Sequence, residues 1–145
     1  MMINSTDEHI LSAECHCGKV CFEVTLTDGF DSICRCNCSY CRMRGAVMVM
    51  IPLEQIKILQ GTEILKSYRF HTGAAEHFFC SCCGIYTHHQ RRSNQDQYAV
   101  NVACLKNMSP FDFHEVPVTD GVNHANDTGK PARRAGTLFF VENDE

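Results

Sequence analysis

Hydrophobic and polar positions alternate most cleanly just past Gly18, where Val20, Phe22, Val24 and Leu26 are separated by Cys21, Glu23 and Thr25 before the turn pair Asp28-Gly29. A period of two puts every second side chain on one face, so this segment reads as a half-buried strand. Asp31 to Cys36 is expected to be its antiparallel partner. Ala46 to Ile51 is a Val- and Met-rich run halted by Pro52, and Gln55 to Leu59 is a shorter run ended by Gly61; both read as strands. Lys66 to Phe70 alternates around Tyr68, His77 to Cys80 leads into a cysteine group, and Tyr98 to Cys104 follows the polar segment from Gln90 to Gln97. No window sustains the i, i+3, i+4, i+7 pattern of an amphipathic helix, beyond a turn or two at Pro52 to Gln55. The pattern therefore predicts a mainly β chain. Residues 1–13 show little periodicity, apart from a possible strand start at Ile10 and Leu11. The segment from Pro117 is rich in Asp, Asn and Gly and is expected to run over the surface, ending in the apolar run Leu138 to Val141.

Composition narrows the class. The 145 residues fit one ordinary domain, and an apolar share of 44% with a charged share of 21% excludes disorder as a default. No apolar run reaches the length of a membrane span, and the polar start MMINSTDEHI lacks the basic and apolar regions of a secretory signal. A cytoplasmic protein is expected. A formal charge of −4 gives no electrostatic footprint for nucleic acid, and the pairs Arg91-Arg92 and Arg133-Arg134 read more simply as solvated surface.

Cysteine is where the chain departs from the average: eleven residues, an odd number, with no export signal. They fall into Cys15-His16-Cys17, Cys36-Asn37-Cys38-Ser39-Tyr40-Cys41 and Cys80-Ser81-Cys82-Cys83, the spacing by which tight turns deliver ligands to one ion. A structural zinc needs four ligands, and Cys15, Cys17, Cys80 and Cys83 supply two halves, with Gly84 suited to the turn behind the last of them. Cys21, Cys82 and Cys104 read as ordinary core cysteines. Cys36, Cys38 and Cys41 supply three ligands within six residues and leave the fourth position open locally. An open position is the mark of a reactive zinc rather than a structural one, unless Cys34, two residues upstream, closes it. Three thiolates on Zn²⁺ sum to −1, which makes a weak water activator and a soft centre for an exchangeable thiol. The triplet thus points to a thiol cosubstrate meeting an electrophile such as an aldehyde.

These groups, read as Cys15-His16-Cys17-Gly18, Cys36 to Arg42 and Phe79-Cys80-Ser81-Cys82-Cys83-Gly84-Ile85, give the chain its resemblance to the glutathione-dependent formaldehyde-activating enzymes and the related centromere protein V domain. The likeness covers roughly residues 11–125, including Asp120-Gly121-Val122-Asn123-His124, with residues 1–10 as a lead-in and 126–145 as a tail. The spacer Asn37 follows the centromere-like form of the pattern, where many formaldehyde-activating members carry His. The resemblance implies a single β-rich domain of the Mss4-like, zinc-stabilised type with two zinc ions per chain, one on the outer pairs and one on the triplet. It also implies glutathione as cosubstrate and formation of S-hydroxymethylglutathione from formaldehyde, a carbon-sulfur lyase reaction in reverse. Arg42 and Arg44, beside the triplet, are the candidates to pair with the carboxylates of such a thiol, although exposed arginines are often only surface. His88-His89 and Arg91-Arg92 are either pocket residues or solvated loop, and Tyr40 either covers the metal or simply packs. Two other classes stay open: a zinc-stabilised protein-binding module or glutathione carrier without catalysis, and a protein in which both ions are structural.

Overall fold

The computed structural model describes residues 9–144. Most of the expected lead-in, residues 1–8, lies outside the described residues.

The alternating segment is a strand, but its partners differ from those expected. β1 (His9–Glu14) and β2 (Cys21–Leu26) pair antiparallel around the first cysteine turn, so the loose lead-in gives way to a strand already at His9. β3 is only Arg35–Cys36 and does not pair with β2. A four-residue helix, α1 (Cys41–Arg44), follows and ends at Gly45, whose φ of +72° is the left-handed conformation that glycine adopts without strain. β4 (Met48–Pro52) and β5 (Ile56–Gln60) match the two short apolar runs, with a 3₁₀ turn at Leu53–Gln55 between them where a helical turn was expected. β6 (Leu65–Tyr68), β7 (Glu76–Cys80), β8 (Tyr86–Gln90) and β9 (Gln97–Asn101) come next. β10 (Glu115–Thr119), a short helix α2 (Ala125–Thr128) and β11 (Arg134–Phe139) complete the chain.

The strands form three sheets, ordered β1-β2-β5, β4-β9-β8-β7-β6 and β11-β10-β3. The third sheet gives the expected tail regular structure. Residues from Pro117 onward do run over the surface, mostly exposed, but as paired strands: β10 pairs antiparallel with β11 and parallel with β3, setting Val118 opposite Arg35 and Thr119 opposite Cys36. Among the described residues no helix is long and apolar enough to cross a membrane.

Register gives the five-stranded sheet two different faces. On one, Val49, Val100, His88 and Phe78 lie in a cross-strand row. This face packs on Phe22, Val24 and Leu26 of the first sheet, the alternating side of β2, and together they form the main core. On the other face the row is Met50, Ala99, His89, His77 and Tyr68. The adjacent residues His88 and His89 therefore point opposite ways: His88 stacks on Phe78 inside the core, with ring centroids 4.6 Å apart, and His89 stacks on His77, at 4.5 Å.

Candidate metal centres and their cavity

Two tight turns, the second one residue longer than the first, bring the outer cysteine pairs together. In the first, a β-turn, Gly18 N–H donates to Cys15 C=O at 3.1 Å; in the second, an α-turn, Gly84 N–H donates to Cys80 C=O at 2.7 Å. Gly18 and Gly84 hold φ of +77° and +79°, which explains glycine after each pair. The sulfurs of Cys15, Cys17, Cys80 and Cys83 lie within 4.8 Å of one another. Cys17 Sγ stands 3.6 Å from Cys15 Sγ and 3.7 Å from Cys80 Sγ. A tetrahedron with sulfur about 2.3 Å from a central zinc has edges of about 3.8 Å, so these residues fit the ion. Val20 N–H also donates to Cys15 Sγ, at 3.3 Å. Cys82, expected in the core, is exposed in the second turn, while Cys104 is buried and its thiol is pushed up to about 12 by burial.

The second cluster is Cys36, Cys38 and Cys41, whose sulfurs also lie within 4.8 Å of one another. Cys36 ends β3, Cys38 follows in the turn and Cys41 opens α1. Backbone N–H groups again point at sulfur, from Cys38 to Cys36 Sγ at 3.4 Å and from Cys41 to Cys38 Sγ at 3.3 Å. Bonds with Cys36 and Cys41 hold the Cys38 thiol far below its usual range, and the same network pushes Cys41 up. Among the described residues no fourth cysteine, histidine or carboxylate joins this cluster. Cys34 stays out of it, buried against Met48 and Tyr86, with its thiol raised to about 11 by burial. These donors fit a soft cation with one position left for another ligand.

A loop after β10 closes over the triplet. Asn37 Oδ1 accepts from Gly121 N–H at 2.7 Å and from Val122 N–H at 3.2 Å, pinning this loop to the cysteine turn. Gly121 lies so close that a Cβ there would stand 2.6 Å from Cys36 Sγ and 2.7 Å from Cys38 Cβ. Asp120 is buried beside it, held below the usual carboxylate range by the Asn123 N–H and by Arg133, whose Nε donates at 2.9 Å.

The triplet borders a cavity of about 400 Å³. Its walls include Met48 and Met50 of β4, Phe70 after β6, His77 and His89 of the second row, and the loop at Asp120-Gly121. Arg91, Arg92, Arg133 and Arg134 also line it. Arg91-Arg92, read as either pocket residues or solvated loop, and Arg133-Arg134, read as surface, thus converge on one hollow, brought there by the β8–β9 connection and the start of β11. Nothing local in the sequence joins them.

Arg42 and Arg44 do not line this cavity. Arg42 is exposed on α1. Arg44 turns beneath the site: Nη1 donates to His77 Nδ1 at 2.8 Å, Nη2 donates to Cys41 Sγ at 3.2 Å, and the guanidinium lies 3.6 Å above the Tyr86 ring. Burial and this cation lower His77 to about 4, so its ring is neutral at physiological pH. Burial lowers His88 to about 4 and His89 further below its ordinary value. Tyr86, buried, places its hydroxyl 2.6 Å from His89 Nδ1 and donates to Ala99 C=O at 3.2 Å. Tyr40 packs between Phe70, Tyr68 and His77 as part of the aromatic wall.

The family model for "glutathione-dependent formaldehyde-activating enzyme" matches residues 10–116. Among solved structures, a Rhodobacter sphaeroides protein is similar at 50% sequence identity and a TM-score of 0.73, covering 75% of this chain and 100% of that one.

Proposed function

Because this chain belongs to the glutathione-dependent formaldehyde-activating enzyme family, we propose that it binds the thiol of glutathione at a zinc held by Cys36, Cys38 and Cys41 and adds it to a small aldehyde. One observation carries the reading: a three-sulfur cluster beside a cavity of about 400 Å³, while a complete four-sulfur cluster stands elsewhere. That volume falls in the range of small-molecule sites. A zinc at the triplet would supply a soft Lewis acid that keeps an incoming thiol deprotonated. The zinc at Cys15, Cys17, Cys80 and Cys83 is structural.

The chain's own residues divide the remaining work. Glutathione is an anion with two carboxylates, and Arg91, Arg92, Arg133 and Arg134 face it from the cavity wall. They take the role that the sequence reading gave to Arg42 and Arg44. Phe70, Met48 and Met50 keep the neighbourhood of the sulfurs apolar, which strengthens attraction between the bound charges. Asn37 and Gly121 hold the covering loop against the cysteine turn.

Exchange NMR of formaldehyde with glutathione, in the presence and absence of protein, tests the activity. Accelerated formation of the adduct, abolished by Cys38→Ser, is the expected result. Glutathione binding without acceleration would leave a carrier, and neither binding nor acceleration would remove the reading.

A further inference from the structure

Of the residues that the second row brings to the cavity, one carries a polar atom with no partner. His77 is only 3% exposed and lines the cavity, yet its Nε2 makes no hydrogen bond among the described residues. Burying a polar group unpaired is costly, so a site that keeps one invites a ligand to complete it.

The chemistry of that atom follows from its neighbour. A guanidinium has donors and no acceptor, so Arg44 Nη1, 2.8 Å from His77 Nδ1, makes Nδ1 an acceptor. A neutral imidazole with a lone pair on Nδ1 carries its proton on Nε2. The ring is held in place by stacking on His89 at 4.5 Å and Phe70 at 5.5 Å and by a tilted contact with Tyr40 at 4.7 Å. Nε2 thus presents a fixed, uncharged N–H on the ring edge away from Arg44. The second unpartnered buried atom, Arg44 Nε, belongs to a guanidinium already laid on the Tyr86 face.

An uncharged donor in an aromatic setting suits a single oxygen better than a carboxylate, and the carboxylates have the arginines. We infer that His77 Nε2–H is the hydrogen-bond donor to the oxygen of the carbonyl substrate, and that Arg44 is the positioning residue that fixes its tautomer. The inference rests on the thiol-addition reading above. In that step a sulfur lone pair forms the carbon–sulfur bond and the carbonyl π pair moves onto oxygen. The proton lost by the thiol leaves to water, and the new alkoxide takes one back from water, so nothing is oxidised or reduced. His77 keeps its proton throughout and stabilises the charge as it develops on oxygen, where a preorganised donor has its largest effect.

The test uses the full zinc-loaded chain. His77→Phe keeps the aromatic stacking and removes the donor, and His77→Gln restores an N–H. The expected result for His77→Phe is a kcat lower by about 10²-fold, with zinc per chain and the KM for glutathione unchanged, and partial recovery in His77→Gln. Nitrogen-15 NMR of the wild-type histidines gives a readout independent of turnover and of variant folding: the proton is expected on Nε2, with its signal moving downfield when the glutathione–formaldehyde adduct is added. An active wild type with His77→Phe equally fast, or a proton on Nδ1, would overturn the inference alone. A wild type that does not accelerate the addition would overturn the reading beneath it, and the carbonyl role with it.

Discussion

Gly121 shows how little room the triplet leaves. Its φ is not left-handed, so the requirement for glycine comes from contact alone: a methyl group would meet Cys36 Sγ, Cys38 Cβ and, at 3.1 Å, Cys38 N. Two of those atoms belong to a short turn fixed by backbone bonds, so the neighbour that must yield is the ligand set itself. Gly121→Ala is expected to lower bound zinc from about two per chain to about one, because only the closed site of Cys15, Cys17, Cys80 and Cys83 stays intact. Metal counting on purified protein, beside a thermal melt that still shows a cooperative transition, checks this. Cys34 gives the complementary case. It is buried but outside the cluster, so Cys34→Ala should cost about 1–2 kcal/mol of stability and leave zinc content unchanged, whereas Cys36→Ser should lose one ion.

At the scale of elements, β8 decides both stability and access. Its five residues are buried along almost their whole length and include His88 and His89. A histidine near 6.5 in the unfolded chain and near 4 in the fold takes up its proton in the unfolded state first as pH falls. The unfolded chain then binds more protons than the native one, so the stabilising contribution is full above about pH 6.5 and is lost as pH drops towards 4. His88 alone accounts for about 3 kcal/mol of that loss at most. Urea melts between pH 7 and 4.5 should show a steeper fall for the wild type than for His88→Gln, and parallel curves would contradict the assignment. This strand also marks what sequence patterning can reveal. β2 is legible because its two faces differ, one towards the core and one outward, and β4, β5, β7 and β9 are bounded by Pro, Gly or polar runs. The segment Tyr-Thr-His-His-Gln is buried on both faces and has no alternation to detect, so its histidines read as pocket residues or solvated loop and not as a strand. β10 was hidden by Pro117, which removes a ladder donor and lowers any strand signal, and its parallel pairing with β3 joins segments far apart in the chain.

For the molecule as a whole, the cysteines were the most legible feature and the cavity the least. Ligand spacing is local, and the two clusters stand together as the sequence grouped them. The cavity draws on β4, β7, β8, β10 and the start of β11, so the convergence of Arg91-Arg92 with Arg133-Arg134 and with the pair His77 and His89 emerges only from sheet order. The four-sulfur cluster brings the β1–β2 turn of one sheet against the β7–β8 turn of another, so an ion held there would tie the two together. Cys17 tests this well because it is exposed. As an unliganded surface thiol, its change to Ser would alter stability by no more than about 0.5 kcal/mol. As a ligand, it would forfeit metal-binding free energy on the order of 10 kcal/mol, so Cys17→Ser should fail to fold stably while Cys82→Ser, also exposed, behaves as wild type. Circular dichroism melts of the two variants separate these outcomes.

The difference between the two clusters, one closed and one reachable, is most directly tested by zinc-edge X-ray absorption on the native protein before and after glutathione is added. The expected result is two zinc ions per chain with an average of about 3.5 sulfurs each, rising to about four as a thiol completes the triplet. Four sulfurs at both ions before any thiol is added, or an average that glutathione leaves unchanged, would contradict it.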